Sequence, residues 1–263
     1  MLSEKKLFLL DIDGTVCKGG QLISGTREFL RDIKESGGMF VFITNNATKS
    51  IADYIRMFQQ FGIAVEYANF VTASYAAARY LKQNHAGELI YVMGTRSFCR
   101  ELKREGIRIT DDWEDEGIST VLVSYDNQLT YQKISDTCRV LMDPKITYLA
   151  TNPDFVCPVE FGCVPDCGSI CEMLEHAVKR KPYFIGKPET AMVECALRQN
   201  HFTREETLIV GDRLYTDILC GYKAGVETAL VLTGEATKEE ALRFEAKPNY
   251  IVPSISELHK MWK

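Results

Sequence analysis

Asp11 and Asp13 stand one residue apart, directly behind the apolar run Leu7–Leu10, in the stretch DIDGT. Two carboxylates ending a buried strand can be a turn with Asx hydrogen bonds, or they can do chemistry. One carboxylate can attack phosphorus and form an aspartyl-phosphate. A second carboxyl, two positions on, can protonate the leaving oxygen and then activate water. Three more polar groups follow apolar runs in the same way. Thr44, Asn45 and Asn46 follow Met39–Ile43, Lys187 in IGKP follows Phe184–Ile185, and Asp212 and Asp217 in GDRLYTD follow Thr207–Val210. Ligands of an open parallel sheet bind beyond the carboxyl ends of its strands, so four such ends point to a common site. Asp11, Asp13, Asp212 and Asp217 crowded together would be unfavourable without a cation among them. These stretches offer oxygens and no His or Cys, which favours Mg2+ over zinc. Lys187 supplies a point charge and Thr44 a hydroxyl donor for an incoming phosphate.

The elements that must position these residues alternate along the 263-residue chain. Strand patterns at Leu7–Leu10, Met39–Ile43 and Phe70–Val71 are interleaved with helix patterns at Ser24–Glu35, Lys49–Phe61 and Ser74–Gln83. Ile51, Ile55 and Phe58 show the helical spacing. The middle repeats the rhythm at Leu89–Met93, Arg96–Glu105, Thr120–Ser124, Tyr131–Met142 and Ile146–Ala150. The last third resumes it at Phe184–Ile185, Glu189–Gln199, Thr207–Val210, Tyr215–Ala224, Glu227–Leu232, Tyr250–Val252 and Ser254–Met261. This alternation predicts α/β architecture with parallel sheets covered by helices.

Composition narrows the class. Apolar residues make up 46% and charged residues 25%, an ordinary globular mix. A formal charge of -5 gives no electrostatic case for a nucleic acid polymer or an acidic membrane surface. No apolar run approaches the roughly 20 residues of a membrane span. Nine cysteines without an export signal read as reduced thiols, and the expected compartment is the cytoplasm. Cys157, Cys163, Cys167 and Cys171, with His176 near them, fit no zinc-ribbon spacing and read as small buried hydrophobes.

Taken together, DIDGT, TNN, GKP and GDRLYTD resemble, in order, the four motifs of the haloacid dehalogenase superfamily of phosphohydrolases. About thirty residues separate Asp13 from Thr44, too few for a domain, whereas roughly 140 lie between Asn46 and Lys187, far more than one βαβ unit needs. An insertion there resembles the NagD-type and p-nitrophenyl-phosphatase-like branch, as do ATNPD and the Gly168–Ser169 region. The resemblance implies a Rossmann-like core over residues 1–82 and 182–263, with an inserted α/β cap of the C2 type over residues 83–181 that closes over the site. It implies Asp11 as nucleophile and Mg2+ ligand, and Asp13 as general acid/base with its backbone carbonyl on the metal. It assigns the phosphoryl group to Thr44 and Asn45, charge neutralisation to Lys187 and a metal bond to Asp212. Asp217 anchors the loop or the metal shell, and Asn152 and Asp154 face the substrate from the cap. Many relatives carry Val where this chain has Thr15, a difference that leaves the nucleophile assignment intact.

The expected activity is Mg2+-dependent hydrolysis of a small phosphate monoester, such as a sugar phosphate or nucleoside monophosphate. Two alternatives stay open: phosphotransfer through the same intermediate, and a phosphate-binding sensor or scaffold. Retention of both Asp11 and Asp13 speaks against the latter. Arg213 either braces the metal loop or packs on the surface. A homodimer through the cap is the pairing that such a cap allows.

Overall fold

The computed structural model describes residues 1–159 and 161–263. The chain divides into two compact units, Met1–Thr44 with Tyr54–Val71 and Lys187–Lys263, and Asn45–Asp53 with Thr72–Gly186. The sequence places the boundaries at 82/83 and 181/182, and contacts move both. Helix Ala73–Asn84 packs on helix Arg96–Arg104 of the second unit. Its Tyr80 stacks on Tyr183, 5.6 Å between ring centres, and strand Tyr183–Phe184 pairs with Leu149 and Ala150.

The first unit holds a six-stranded sheet in the order Tyr250–Val252, Glu227–Val231, Thr207–Gly211, Leu7–Leu10, Met39–Thr44, Phe70–Thr72. The central pairings are parallel, with Leu10 opposite both Val210 and Phe42. That register brings the residues after Leu10, Val210 and Phe42 to one level of the sheet. Leu7–Leu10 is buried on both faces, which explains its unbroken apolar run. Phe8 packs edge-on against Phe29 and Trp262 on one side. Phe42 stacks on Phe58, with ring centres 4.3 Å apart, and lies against Phe70. Phe29, Leu30 and Ile33 form the buried stripe of helix Thr26–Glu35.

The second unit has its own five-stranded sheet, ordered Tyr183–Phe184, Thr147–Ala150, Ile118–Val123, Leu89–Met93, Ile109–Thr110. All its neighbours are parallel. Its core gathers Tyr91, Val121, Val123, Leu141 and Tyr148 with Cys167, Ile170, Cys171 and Leu174. The last four lie on helix Cys167–Val178, which follows a hairpin of Val156–Val159 and Gly162–Pro165. Each unit therefore has the layered α/β build expected from the alternation. Among the described residues no helix is long and apolar enough to cross a membrane.

Candidate active site

Leu10 ends its strand with a backbone handover, the Asp11 N–H donating to the Val210 carbonyl at 2.9 Å. The chain then turns tightly, with the N–H groups of Val16 and Cys17 both returning to the Ile12 carbonyl. Asp13 sits half-buried in this turn, and among the described residues no donor is bonded to its side chain. Gly14 makes the turn at φ +89°. A Cβ there would lie 2.5 Å from Asp212 Oδ2, and one on Gly234 would lie 1.9 Å from the same atom. Both positions need glycine so that the backbone can close around that carboxylate.

Asp212 is fixed by its own loop and by the next. Its Oδ2 accepts from the Glu235 N–H at 2.8 Å, and its carbonyl accepts from the Ala236 N–H at 3.1 Å. Arg213 Nε pairs with Glu235 at 2.9 Å, so Arg213 ties these two loops together. That resolves the choice left open by the sequence in favour of a brace. After Arg213 the backbone makes a π-helical turn, Leu214–Ile218, before helix Leu219–Ala224. This local widening carries Asp217 back toward the strand end, where its Oδ2 accepts from the Arg213 N–H at 3.1 Å.

Lys187 occupies the centre. Its Nζ donates to Asp11 Oδ1 at 2.7 Å, Asp217 Oδ1 at 2.6 Å and the Ile43 carbonyl at 3.0 Å. The lysine side chain is 2% exposed, Asp217 1% and Asp11 13%. Burial alone would depress the Lys187 ammonium, but Asp11 and Asp217 outweigh it and hold the lysine above its ordinary value. Burial pushes Asp11 well above the usual carboxylate range against the pull of Lys187. It also raises Asp212 to about 6, with the Asp217 charge adding to the effect. Lys187 is thus the fixed cation of the group.

Asp11, Asp212 and Asp217 bring carboxylate oxygens within 4.8 Å of one another. One lysine balances only part of that charge. An all-oxygen set with excess negative charge and little exposure fits a hard divalent cation. Asp217 accepts from Lys187 and the Arg213 N–H on its two oxygens, and Asp212 accepts from the Glu235 N–H and, at 3.5 Å, from the Thr15 hydroxyl, whereas Lys187 engages only Oδ1 of Asp11.

The structure differs from the sequence reading over how Lys187 arrives. The strand before it, Tyr183–Phe184, belongs to the second unit's sheet, so the four polar strand ends do not share one sheet. Thr44 ends its strand in the first unit and is 3% exposed. Asn45 groups instead with Asn152 and Asp154 in the second unit. Its Nδ2 donates to Asp154 Oδ2 at 2.7 Å, and Asn152 Nδ2 donates to the same oxygen at 2.8 Å. Sequence reasoning overlooked Gly234 and Glu235, because a glycine after an apolar strand signals only a turn. It also overlooked Asp166, hidden among the cysteines.

Known proteins bear on this geometry. A family model described as haloacid dehalogenase-like hydrolase matches residues 8–108, and one described as HAD-hydrolase-like matches residues 184–258. The ribonucleotide monophosphatase NagD of Escherichia coli K12 is 32% identical over 253 residues, covering 96% of this chain and 98% of that one. The 4-nitrophenylphosphatase of Thermotoga maritima superposes with a TM-score of 0.93 at 35% identity, over 100% of this chain and 99% of the other. A glycerol phosphate phosphatase of Mycobacterium tuberculosis, solved in complex with magnesium, gives a TM-score of 0.91 at 28% identity over 98% and 78% of the two chains. With DIDGT, TNN, GKP and GDRLYTD in order along a core that carries an inserted α/β domain, this chain belongs to the haloacid dehalogenase-like hydrolases, in the NagD and p-nitrophenylphosphatase branch, and is a phosphoric monoester hydrolase.

Proposed function

We propose that the chain hydrolyses a small phosphate monoester through an aspartyl-phosphate on Asp11, with Mg2+ as cofactor. The observation that carries this reading is Lys187, buried between Asp11 and Asp217 with Asp212 alongside. Lys187 occupies Oδ1 of Asp11 and leaves Oδ2 for attack on phosphorus. Its cation works against the burial that raises the Asp11 carboxyl, favouring the ionised form that attacks, and offsets charge on the phosphoryl oxygens. Asp13, with no side-chain partner in the turn, protonates the leaving oxygen and then takes the proton from water that cleaves the acyl phosphate. Thr44, and Asn45 next to it in the chain, donate hydrogen bonds to the phosphoryl oxygens. Asp11, the Asp13 backbone carbonyl and Asp212 hold the Mg2+, which when bound adds positive charge where phosphoryl transfer needs it. Asp217 acts through Lys187 and the Arg213 N–H rather than on the substrate.

Relatives named for ribonucleotides, 4-nitrophenyl phosphate and glycerol phosphate support a small monoester and leave its class to experiment. The test is phosphate release from sugar phosphates, nucleoside monophosphates, glycerol phosphate and 4-nitrophenyl phosphate, with Mg2+ or EDTA. Wild type is expected to turn over one class only with Mg2+, and Asp11→Asn to be inactive while keeping its circular dichroism. Turnover in EDTA, or by Asp11→Asn, would overturn the mechanism.

A further inference from the structure

Asp166 ends the stretch CPVEFGCVPD and caps helix Cys167–Val178. It is 5% exposed, and its carboxylate does more than cap. Oδ1 accepts from the Cys167 N–H at 2.5 Å and from Asn152 Nδ2 at 3.1 Å. Asn152 is held at its other end too, by the Thr151 hydroxyl donating to its Oδ1 at 2.8 Å. Asn152 Nδ2 also donates to Asp154 Oδ2, the atom that accepts from Asn45 Nδ2. A buried path of hydrogen bonds therefore runs from the helix start through Asp166, Asn152 and Asp154 to Asn45. The backbone reinforces it. The Asp166 N–H donates to the Phe155 carbonyl at 2.9 Å, the Gly168 N–H to the Asp154 carbonyl at 2.8 Å, and the Ser169 hydroxyl to the Phe155 carbonyl at 2.6 Å. Residues 152–155 are strapped to the first turn of that helix.

We propose that Asp166 is a positioning residue for the hydrolase reaction. It fixes the Asn152 amide, which with Asp154 sets the orientation of Asn45, the residue next to Thr44 assigned above to the phosphoryl group. The claim rests on the proposed role of Asn45. Its physical basis is that an amide held at one oxygen and two acceptors has one orientation, whereas an amide released from one acceptor can turn. Misplacing a group that binds the transferring phosphoryl slows the chemical step more than it weakens binding.

Three substitutions separate positioning from capping. Asp166→Ser keeps an N-cap oxygen but is too short for Asn152. Asp166→Asn keeps both acceptor contacts without the charge. Asp166→Ala loses both. With Mg2+ and the wild type's best monoester, Asp166→Ser is expected to keep its melting temperature yet lose roughly ten- to hundredfold in kcat, with KM changed by less than about threefold. Asp166→Asn is expected to stay within about twofold of wild type. In nitrogen-15 NMR, the Asn45 side-chain amide signals should shift in the Ser and Ala variants and stay in place in the Asn variant. Full activity of Asp166→Ser would reduce Asp166 to a helix cap, and equal losses in Ser and Asn variants would overturn the hydrogen-bond argument. If wild type releases no phosphate from any monoester, the phosphatase reading fails by itself, and the Asn45 signals still decide the role of Asp166.

Discussion

At the scale of single residues, the site is built by oxygens that are held and one cation that cannot leave. Lys187 is worth more than its charge, since removing it leaves Asp11 and Asp217 buried against each other. Lys187→Met should cost about 3–5 kcal/mol of stability, the range for breaking one side of a buried ion pair. Urea unfolding in EDTA would measure it, and a loss below 1 kcal/mol would mean that Asp11 and Asp217 take up protons instead. Asp13 makes a different prediction, because the acid role proposed for it depends on the leaving group. Asp13→Asn should slow glycerol phosphate hydrolysis far more than that of 4-nitrophenyl phosphate, whose leaving oxygen needs little proton assistance. Equal slowing in kcat/KM for both esters would count against an acid role. Asp11, Asp212, Asp217 and Lys187, which the structure brings together, were legible in the sequence because their chemistry is unusual beside buried strands. Gly234, which lets the backbone reach Asp212, and Asp166, a cap that also holds Asn152, were not. Their roles depend on neighbours distant in sequence.

Among the elements, helix Cys167–Val178 carries the clearest lesson. Cys167, Ile170, Cys171, Leu174 and Val178 recur at helical spacing and are all buried, so the periodic signal was present in the sequence. The sequence reading took the cysteines as small buried hydrophobes but assigned no helix to them. Cys167 and Cys171 lie one turn apart with sulfurs 4.0 Å from each other, as residues of a packed stripe do. Leu174→Ala should therefore cost about 2–5 kcal/mol in urea unfolding, the usual range for a buried leucine. Helix Arg96–Arg104 makes a pH prediction. Its Glu101 is buried, with Oε2 lacking a hydrogen-bond partner among the described residues, and burial pushes the carboxyl up to about 7. The folded state thus prefers Glu101 protonated. Its stabilising contribution is complete below the unfolded value near 4.3 and is lost as pH rises through about 7. Glu101→Gln should remove that decline, gaining up to about 3 kcal/mol on wild type above pH 7 and little at pH 4. Parallel stability curves for the two proteins between pH 4 and pH 8 would rule the effect out.

For the whole molecule, metal binding should appear as stability. A cation that binds only the folded chain raises unfolding free energy by about 2.7 kcal/mol at a hundred times its Kd. Mg2+ should accordingly raise the melting temperature of wild type and leave that of Asp212→Asn nearly unchanged. A similar rise in both would place the ion elsewhere. The sequence by itself determined the α/β class, the presence of an inserted segment, and the three acids and the lysine that the structure brings together. Those follow from local facts, apolar periodicity and chemical type at strand ends. Only the tertiary structure decided that the strand before Lys187 belongs to the second sheet, and that helix Ala73–Asn84 packs with the inserted unit. It alone placed Asn45 on Asp154 and Arg213 on Glu235. Periodicity tells a segment that it must bury one face, but not against which partner. That choice is made by packing between residues well separated in the sequence, from Arg213 with Glu235 to Asn45 with Asp154, and no local pattern encodes it.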